Sequence, residues 1–122
     1  MYKEVLQTLY NSVSQNVSLI KLSEEKLKSW ETEPEFYLIL QDIFLNKELP
    51  INVRWMSIIY LKNGIDKYWR KSARNSIPFE KKEEIRKRIL QGSVDENHLL
   101  AIQNSLVAAK IARLDFPYDW KA

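Results

Sequence analysis

The chain has 122 residues, of which 45% are hydrophobic and 29% charged, and a formal net charge of +3. This length accommodates one domain, and the hydrophobic content is too high for an intrinsically disordered segment. The absence of cysteines excludes disulfides, thiolate metal sites and thiol nucleophiles. The single histidine leaves little for metal binding, and with two glycines a glycine-rich phosphate loop is disfavoured. No apolar run approaches the roughly 20 residues of a membrane span. We expect a non-enzymatic protein without metal or cofactor, in a reducing intracellular setting.

Two amphipathic helices are predicted at the start of the chain. Met1 to about Ser14 forms the first, because its apolar residues recur at helical spacing. This stripe consists of Val5, Leu6, Leu9, Tyr10 and Val13. Asn16 can cap the second helix, and Leu27 and Trp30 lie on the side of that helix that we expect to be buried.

Prolines mark the starts of the next two helices. Residues 32–35 predict a capping box, with Pro34 in the first turn of helix three. Pro50 opens helix four, which contains Gly64. Glycine lowers the stability of a helix by about 1 kcal/mol relative to alanine, so we expect a bend, a close packing contact or early fraying at this position.

Helix five, at about 79–91, is densely charged. Two i, i+4 ion pairs are predicted on its surface, Glu83 with Lys87 and Glu84 with Arg88. A narrow inward face is expected on the other side. It comprises Phe79, Ile85, Ile89 and Leu90.

Helix six is predicted to run from about Val94 to Leu114 and to be apolar over more than half of its circumference. Gly92 suits the left-handed position just past the end of helix five, and residues 93–96 predict a second capping box. His98, near the start of helix six, is expected to be an ordinary polar residue and no ligand.

Six helices joined by short links form three consecutive antiparallel pairs, with boundaries at about 2–31, 33–69 and 78–115. Intervals of roughly 40 residues between pairs are typical of HEAT-type helical hairpins. An up-down bundle of six helices fits the same pattern. Charged first helices followed by more apolar second helices favour stacked hairpins over the bundle.

Three motifs carry a family resemblance. Residues 53–70, VRWMSIIYLKNGIDKYWR, contain an arginine near the start of the second helix of a second repeat, then Leu-Lys-Asn-x-Ile and a tryptophan. Residues 22–31, LSEEKLKSWE, and residues 109–120, AKIARLDFPYDW, flank this stretch in order. Together they resemble the N-terminal domain of the importin-β (karyopherin-β) family, closest to its importin-eleven or yeast karyopherin-120 branch.

The resemblance covers essentially the whole chain and implies an all-α fold. This fold is a right-handed α-solenoid of about three HEAT-type hairpins, or six helices. Since family members continue for many further repeats, whereas this chain stops at Ala122, we expect it to be the N-terminal fragment of a receptor, truncated before the rest of the solenoid.

The function implied by the resemblance is binding of the small GTPase Ran in its GTP form by the inner helices of the first repeats. Cargo and nuclear pore proteins would be partners of the full-length receptor, which would shuttle between cytoplasm and nucleus. Lys62 and Asn63 are the leading candidates, because apolar patterning gives no reason for them in mid-helix. The full set of candidate Ran-binding residues is Lys62, Asn63, Asp66, Arg70, Gln103 and Lys110.

Lys62 and Asn63 also have simpler interpretations. Lys62 could extend its stem over an apolar surface, and Asn63 could brace the next helical turn. Trp30 and Trp69 are expected in the core and not at an interface. Arg54 is expected to pair between helices with a carboxylate such as Asp42 or Glu48.

Two other functions compete with the family reading. A basic segment at residues 62–74 interleaves lysines and arginines with Tyr68 and Trp69, as in proteins that bind single-stranded nucleic acids. The small net charge and the favourable place of cations at a helix C-terminus disfavour nucleic acid. A helical scaffold for an unrelated protein partner is the third possibility.

Overall fold

The computed structural model describes residues 1–92 and 95–115, and within them all regular secondary structure is α-helical. The helices are α1 (Tyr2–Ser12), α2 (Val17–Ser29), α3 (Phe36–Leu45), α4 (Ile51–Tyr68), α5 (Phe79–Gly92) and α6 (His98–Asp115). The predicted all-α architecture of six helices is therefore confirmed for this part of the chain. None of these helices has the length and apolar character that crossing a membrane requires.

The helices pack as three consecutive hairpins, α1 with α2, α3 with α4 and α5 with α6. In the second and third hairpins, corresponding helices stack on each other: the first helices, α3 and α5, are in contact, and so are the second helices, α4 and α6. The first hairpin joins differently, since α1 packs against both α3 and α4 whereas α2 packs only against α1 among the described helices. The expected row of second helices is thus formed by α4 and α6, and α2 stands outside it.

Helix α3 is the centre of the core, with seven of its ten residues buried. Those residues are Phe36, Tyr37, Leu38, Leu40, Gln41, Ile43 and Phe44. The expectation that first helices are charged and second helices more apolar is wrong for this hairpin. The reason is that α3 has neighbours on three sides, namely α1, α4 and α5, and so must be apolar around most of its circumference.

The predicted helix caps are partly confirmed. The side chain of Asn16 accepts hydrogen bonds from the backbone N–H groups of Ser18 and Leu19, and Pro50 stands at the N-cap of α4. The capping box at residues 32–35 is wrong, because α3 begins at Phe36 and its N-cap residue makes no side-chain cap hydrogen bond. Two successive backbone turns lead into α3 instead. In them the carbonyls of Trp30 and Glu33 accept hydrogen bonds from the backbone N–H groups of Glu33 and Phe36.

The two glycines both mark close helix packing. Gly64 is buried, and an ideally placed Cβ there would lie 2.7 Å from Cζ and 2.9 Å from Cδ1 of Tyr37, which confirms a close packing contact. Gly92 is the last residue of α5 and has no positive φ, so its predicted left-handed conformation is wrong. A Cβ at Gly92 would lie 2.6 Å from Cγ of Asn104 on α6, and this proximity accounts for the glycine.

The buried side of α5 is partly as predicted, because Ile85 is buried but two other residues of the predicted face are not. Phe79 is 64% and Leu90 73% exposed, whereas Lys82 is 3% exposed. The ammonium of Lys82 lies 5.4 Å from the centre of the Trp69 ring, so its aliphatic stem fills core space while its charge rests on an aromatic face.

The surface ion pairs of α5 are also partly as predicted. Glu84 pairs with Arg88 as expected. Glu83 pairs with Arg86 and not with Lys87.

Helix α6 begins four residues later than predicted. Its first residue is His98, and the side chain of Asn97 accepts a hydrogen bond from the backbone N–H of Leu100. Asn97 therefore caps α6. Residues 93 and 94 of the predicted capping box lie outside the described residues, as do residues 116–120 of the third family motif.

Candidate functional site

Helices α4 and α6 lie side by side in the same direction, held in register by four side-chain contacts. In chain order they join Arg54 to Asp95, Lys62 to Gln103, Asp66 to Lys110 and Trp69 to Asp115. The first and last contacts are buried and the middle two reach the surface. The two helices thus present one continuous surface, which we call the α4–α6 face and define by Lys62, Asp66, Gln103 and Lys110.

Four of the six candidate residues form the two contacts of this face that reach the surface. The ammonium of Lys62 donates to Oε1 of Gln103 at 3.1 Å, and Nζ of Lys110 lies 2.6 Å from Oδ1 of Asp66. The Asp66 side chain is 51% and the Lys110 side chain 20% exposed. Residues 41 and 44 positions apart are therefore adjacent, as stacking of two similar hairpins requires.

The other two candidates lie elsewhere on the surface. Asn63 is exposed and lines a cleft of about 180 Å³ on the side of α4 that faces the first hairpin. Arg70 is exposed just beyond α4 and forms no ion pair with any described residue. Their side chains take no part in the two contacts between α4 and α6.

The cleft beside Asn63 is organised by Glu31, which the sequence analysis did not single out. Its carboxylate accepts hydrogen bonds from Nζ of Lys67 at 3.2 Å and from the hydroxyl of Tyr68 at 3.0 Å. Its backbone carbonyl accepts a hydrogen bond from the hydroxyl of Tyr37. Glu31 therefore ties the end of the first hairpin to the C-terminal half of α4. Its position directly after Trp30 was the only sequence signal.

The electrostatic environment of the cleft keeps its tyrosines protonated. Burial raises the pKa of Tyr37, and interaction with Tyr68 and then with the charge of Glu31 adds to the effect. Burial also raises the pKa of Tyr60, with the carboxylates of Glu24 and Glu31 adding to the effect. The pKa of Tyr68 is raised by burial and by its hydrogen bond to Glu31. The hydroxyls of Tyr37 and Tyr68 act as hydrogen-bond donors to Glu31, and the raised pKa values mean that these tyrosines do not supply negative charge.

Arg54 closes the N-terminal end of the contact between α4 and α6. Its guanidinium donates to the carboxylate of Asp95 and to the backbone carbonyl of Phe44, and the side chains of Arg54 and Asp95 are each 4% exposed. The predicted partners of Arg54, Asp42 and Glu48, are wrong. Asp42 instead pairs with Arg88 of α5.

The ionised form of Asp95 is favoured by this environment. Although burial raises its pKa, the backbone N–H of Asn97 and the guanidinium of Arg54 outweigh that effect and lower the pKa below its usual value. The charges of Arg54 and Asp95 are thereby retained in the protein interior, where an unpaired charge would be costly.

Trp69 closes the other end of the contact and lies in the core, as predicted. It is 1% exposed, and its indole N–H donates to Oδ1 of Asp115 at 2.6 Å. Arg86 of α5 donates two hydrogen bonds to Oδ2 of the same carboxylate. Because its ring is buried, Trp69 is not available for stacking on a nucleic acid base. Trp30 is half-buried and contacts the ring of Phe36.

The site has the properties of a binding surface. Within residues 1–92 and 95–115, no group of three or more histidine, aspartate or glutamate side chains could hold a metal ion. Exposed apolar side chains lie beside the polar contacts on α6, at Ile102 and Leu106. A mixed surface of charged, amide and apolar groups is typical of protein interfaces.

Comparison with known proteins places the chain among nuclear transport receptors. A sequence model of the importin-beta N-terminal domain family matches residues 23–95. Importin-11 of Mus musculus is 42% identical over 116 residues, which are 95% of this chain and 12% of that protein. The importin beta-like protein KAP120 of Saccharomyces cerevisiae is 41% identical over 117 residues, 96% of this chain and 11% of that protein.

A solved structure agrees with the sequence comparisons. Lph2, described as a novel bidirectional nuclear transport receptor in S. cerevisiae, superimposes with a TM-score of 0.79 and 41% identity over 93% of this chain. The chain spans about an eighth or less of the length of these relatives. The match to the family model includes all of α3, α4 and α5, and the relatives match nearly the whole chain. The chain therefore belongs to the importin-β (karyopherin-β) family of nuclear transport receptors.

Proposed function

We propose that this chain binds the small GTPase Ran in its GTP form through the α4–α6 face, as part of a receptor for nucleocytoplasmic protein transport. The observation that carries the proposal is the pair of contacts between α4 and α6 that reach the surface. Lys62, Asp66, Gln103 and Lys110, which the family resemblance and the polar pattern singled out separately, form one surface. A partner that contacts both helices can therefore engage all four residues at once.

A nucleotide-switched protein suits such a surface. The switch segments of a GTPase are ordered by the γ-phosphate and released on hydrolysis, so a rigid surface with fixed polar groups can distinguish the two forms by shape and hydrogen bonding. The buried contacts at Arg54 and Trp69 support this rigidity, because they fix the two helices at both ends of the face. Recognition of this kind needs no catalytic group on the receptor.

The role in transport follows from thermodynamic coupling. If Ran in its GTP form and cargo favour different states of a longer solenoid, each lowers the affinity for the other. Cargo and nuclear pore proteins are proposed partners of the whole receptor, which would shuttle between cytoplasm and nucleus. The division into repeats at about 2–31, 33–69 and 78–115 stays a prediction.

The test uses isothermal titration calorimetry. The chain is titrated with Ran loaded with a non-hydrolysable GTP analogue and, separately, with Ran-GDP. We expect tighter binding of the GTP form. Equal affinity for both forms, or no binding of either, would contradict the proposal. Binding of any oligonucleotide with a steep salt dependence would favour the nucleic-acid alternative instead.

A matched pair of charge reversals locates the interface. Lys62→Glu is expected to abolish preferential binding of the GTP form, because it replaces a donor of the α4–α6 face with a carboxylate. Lys87→Glu makes the same change on α5, at a side chain that is 72% exposed, and α5 does not pack against α4. We expect it to leave the affinity unchanged. Circular dichroism of both variants checks that the helical content is retained.

A further inference from the structure

The three lysines near the proposed interface have chemically different partners. Lys110 is paired with the carboxylate of Asp66 and Lys67 with that of Glu31. Lys62 instead donates to a neutral amide, that of Gln103, and forms no salt bridge within residues 1–92 and 95–115. Its ammonium is therefore held in place without an acidic partner among the described residues.

Asp66 lies one helical turn beyond Lys62 on α4 and would be the obvious counter-ion at this i, i+4 spacing. Its carboxylate is bound to Lys110 at 2.6 Å instead. Charge is thus balanced at one contact between α4 and α6 and left unbalanced at the neighbouring one.

The donor-only nature of lysine fixes the orientation of Gln103. An ammonium has three donors and no acceptor, so the amide of Gln103 must turn its oxygen towards Lys62. The NH₂ group of Gln103 shares the amide carbon with this oxygen and so stays near Lys62, and no described residue accepts a hydrogen bond from it. Both side chains are half-buried, so this arrangement places an ammonium and two amide N–H donors together at the surface.

We propose that Lys62 and Gln103 form a two-donor site for a single carboxylate of the partner, an aspartate or glutamate side chain. A carboxylate has two oxygens and can accept from two neighbouring donors at once, and hydrogen bonds to charged groups are the stronger ones. Gln103 both positions the ammonium and contributes a donor of its own. This inference rests on the proposed function only for the identity of the partner.

The decisive variant is Gln103→Glu. It keeps the shape of the side chain and an acceptor for Lys62. The new carboxylate, however, balances the positive charge of the ammonium, and the amide donors are lost. We expect the affinity for the GTP form of Ran to fall about 10- to 100-fold, as for Lys62→Met, while the melting temperature stays the same or rises. Gln7→Glu makes the same chemical change on α1 and is expected to leave the affinity unchanged. A purely structural role of Gln103 predicts unaltered binding by Gln103→Glu, and this result would overturn the proposal.

A second measurement tests the site without Ran. Sodium acetate is titrated into ¹⁵N-labelled protein, with sodium chloride at equal ionic strength as the control, and the side-chain amide signal of Gln103 is followed by NMR. We expect a saturable shift with acetate that is absent with chloride and absent in Lys62→Met. If acetate leaves this signal unmoved, the carboxylate site is refuted. If acetate binds but Ran does not, the site stands and the proposed function fails.

Discussion

Gly64→Ala tests whether the contact between α3 and α4 depends on the missing side chain. Alanine would raise the helix propensity of α4 by about 1 kcal/mol. The added methyl, however, would lie 2.7 Å from Cζ and 2.9 Å from Cδ1 of Tyr37. That ring is 2% exposed, packs against the rings of Phe36 and Tyr68, and is tethered through its hydroxyl to the carbonyl of Glu31. It therefore has little freedom to move away.

Overpacking of this kind costs about 1–3 kcal/mol, and the immobility of the ring favours the upper end. After the gain in helix propensity, we expect the free energy of unfolding to fall by about 2 kcal/mol. Urea denaturation followed by circular dichroism measures this loss. Asn63→Ala is the control, because it raises helix propensity at the adjacent exposed position without a clash.

The steric origin of the loss can be separated from other causes with a double mutant. In a Tyr37→Leu background the ring is absent, so Gly64→Ala should become neutral or stabilising by up to about 1 kcal/mol. The reasoning would be refuted by a Gly64→Ala protein as stable as the wild type. It would also be refuted by an equal loss in the presence and absence of the Tyr37 ring.

Two further predictions concern the buried contacts at the ends of the α4–α6 face. Trp69→Phe removes the indole donor to Asp115 and should lower the free energy of unfolding by about 1–3 kcal/mol; an unchanged urea midpoint would contradict it. Asp95→Asn leaves Arg54 buried without a counter-ion and should cost about 3 kcal/mol at neutral pH. Because the pKa of Asp95 is lower in the folded state than its ordinary value of 3.8, its contribution is complete above that value and is lost as the pH falls below it. Stability measured against pH should therefore fall less steeply in acid for the asparagine variant than for the wild type; parallel curves would refute this.

The parts of the fold that could be predicted are those governed by local sequence. Helical spacing of apolar residues identified the helices, because one face of each must leave water, and Val5, Leu9 and Leu27 are buried as that spacing requires. Asn16 caps α2 because an amide directly before a helix satisfies free backbone N–H groups. Such features depend on neighbours within one or two turns.

The predictions that failed required knowledge of distant partners. Arg54 is bound to Asp95, 41 residues away, and no local pattern distinguishes that carboxylate from Asp42. Lys82 is buried because the ring of Trp69 lies over its ammonium, whereas Phe79 contacts no aromatic ring among the described residues and is exposed. The candidate site was assembled from the family motif and from polar interruptions of apolar helices. Its pairing, Lys62 with Gln103 and Asp66 with Lys110, could only come from the packing of α4 on α6.

The α4–α6 face belongs to neither hairpin alone, so its geometry depends on the registration of one hairpin against the next. A shift by a single residue along α6 would move its side chains by about 1.5 Å along the axis and rotate them by about 100°, which would separate Lys62 from Gln103. Such a shift would break two buried contacts, the ion pair of Arg54 with Asp95 and the hydrogen bond of Trp69 with Asp115. It is opposed because breaking either contact leaves a buried polar group unsatisfied. A buried polar pair adds little stability relative to apolar residues of the same size, but breaking it is costly. These pairs therefore determine the relative position of the two helices. It follows that a variant such as Trp69→Phe, although its side chain is buried away from the surface, should weaken binding at Lys62 as well as stability.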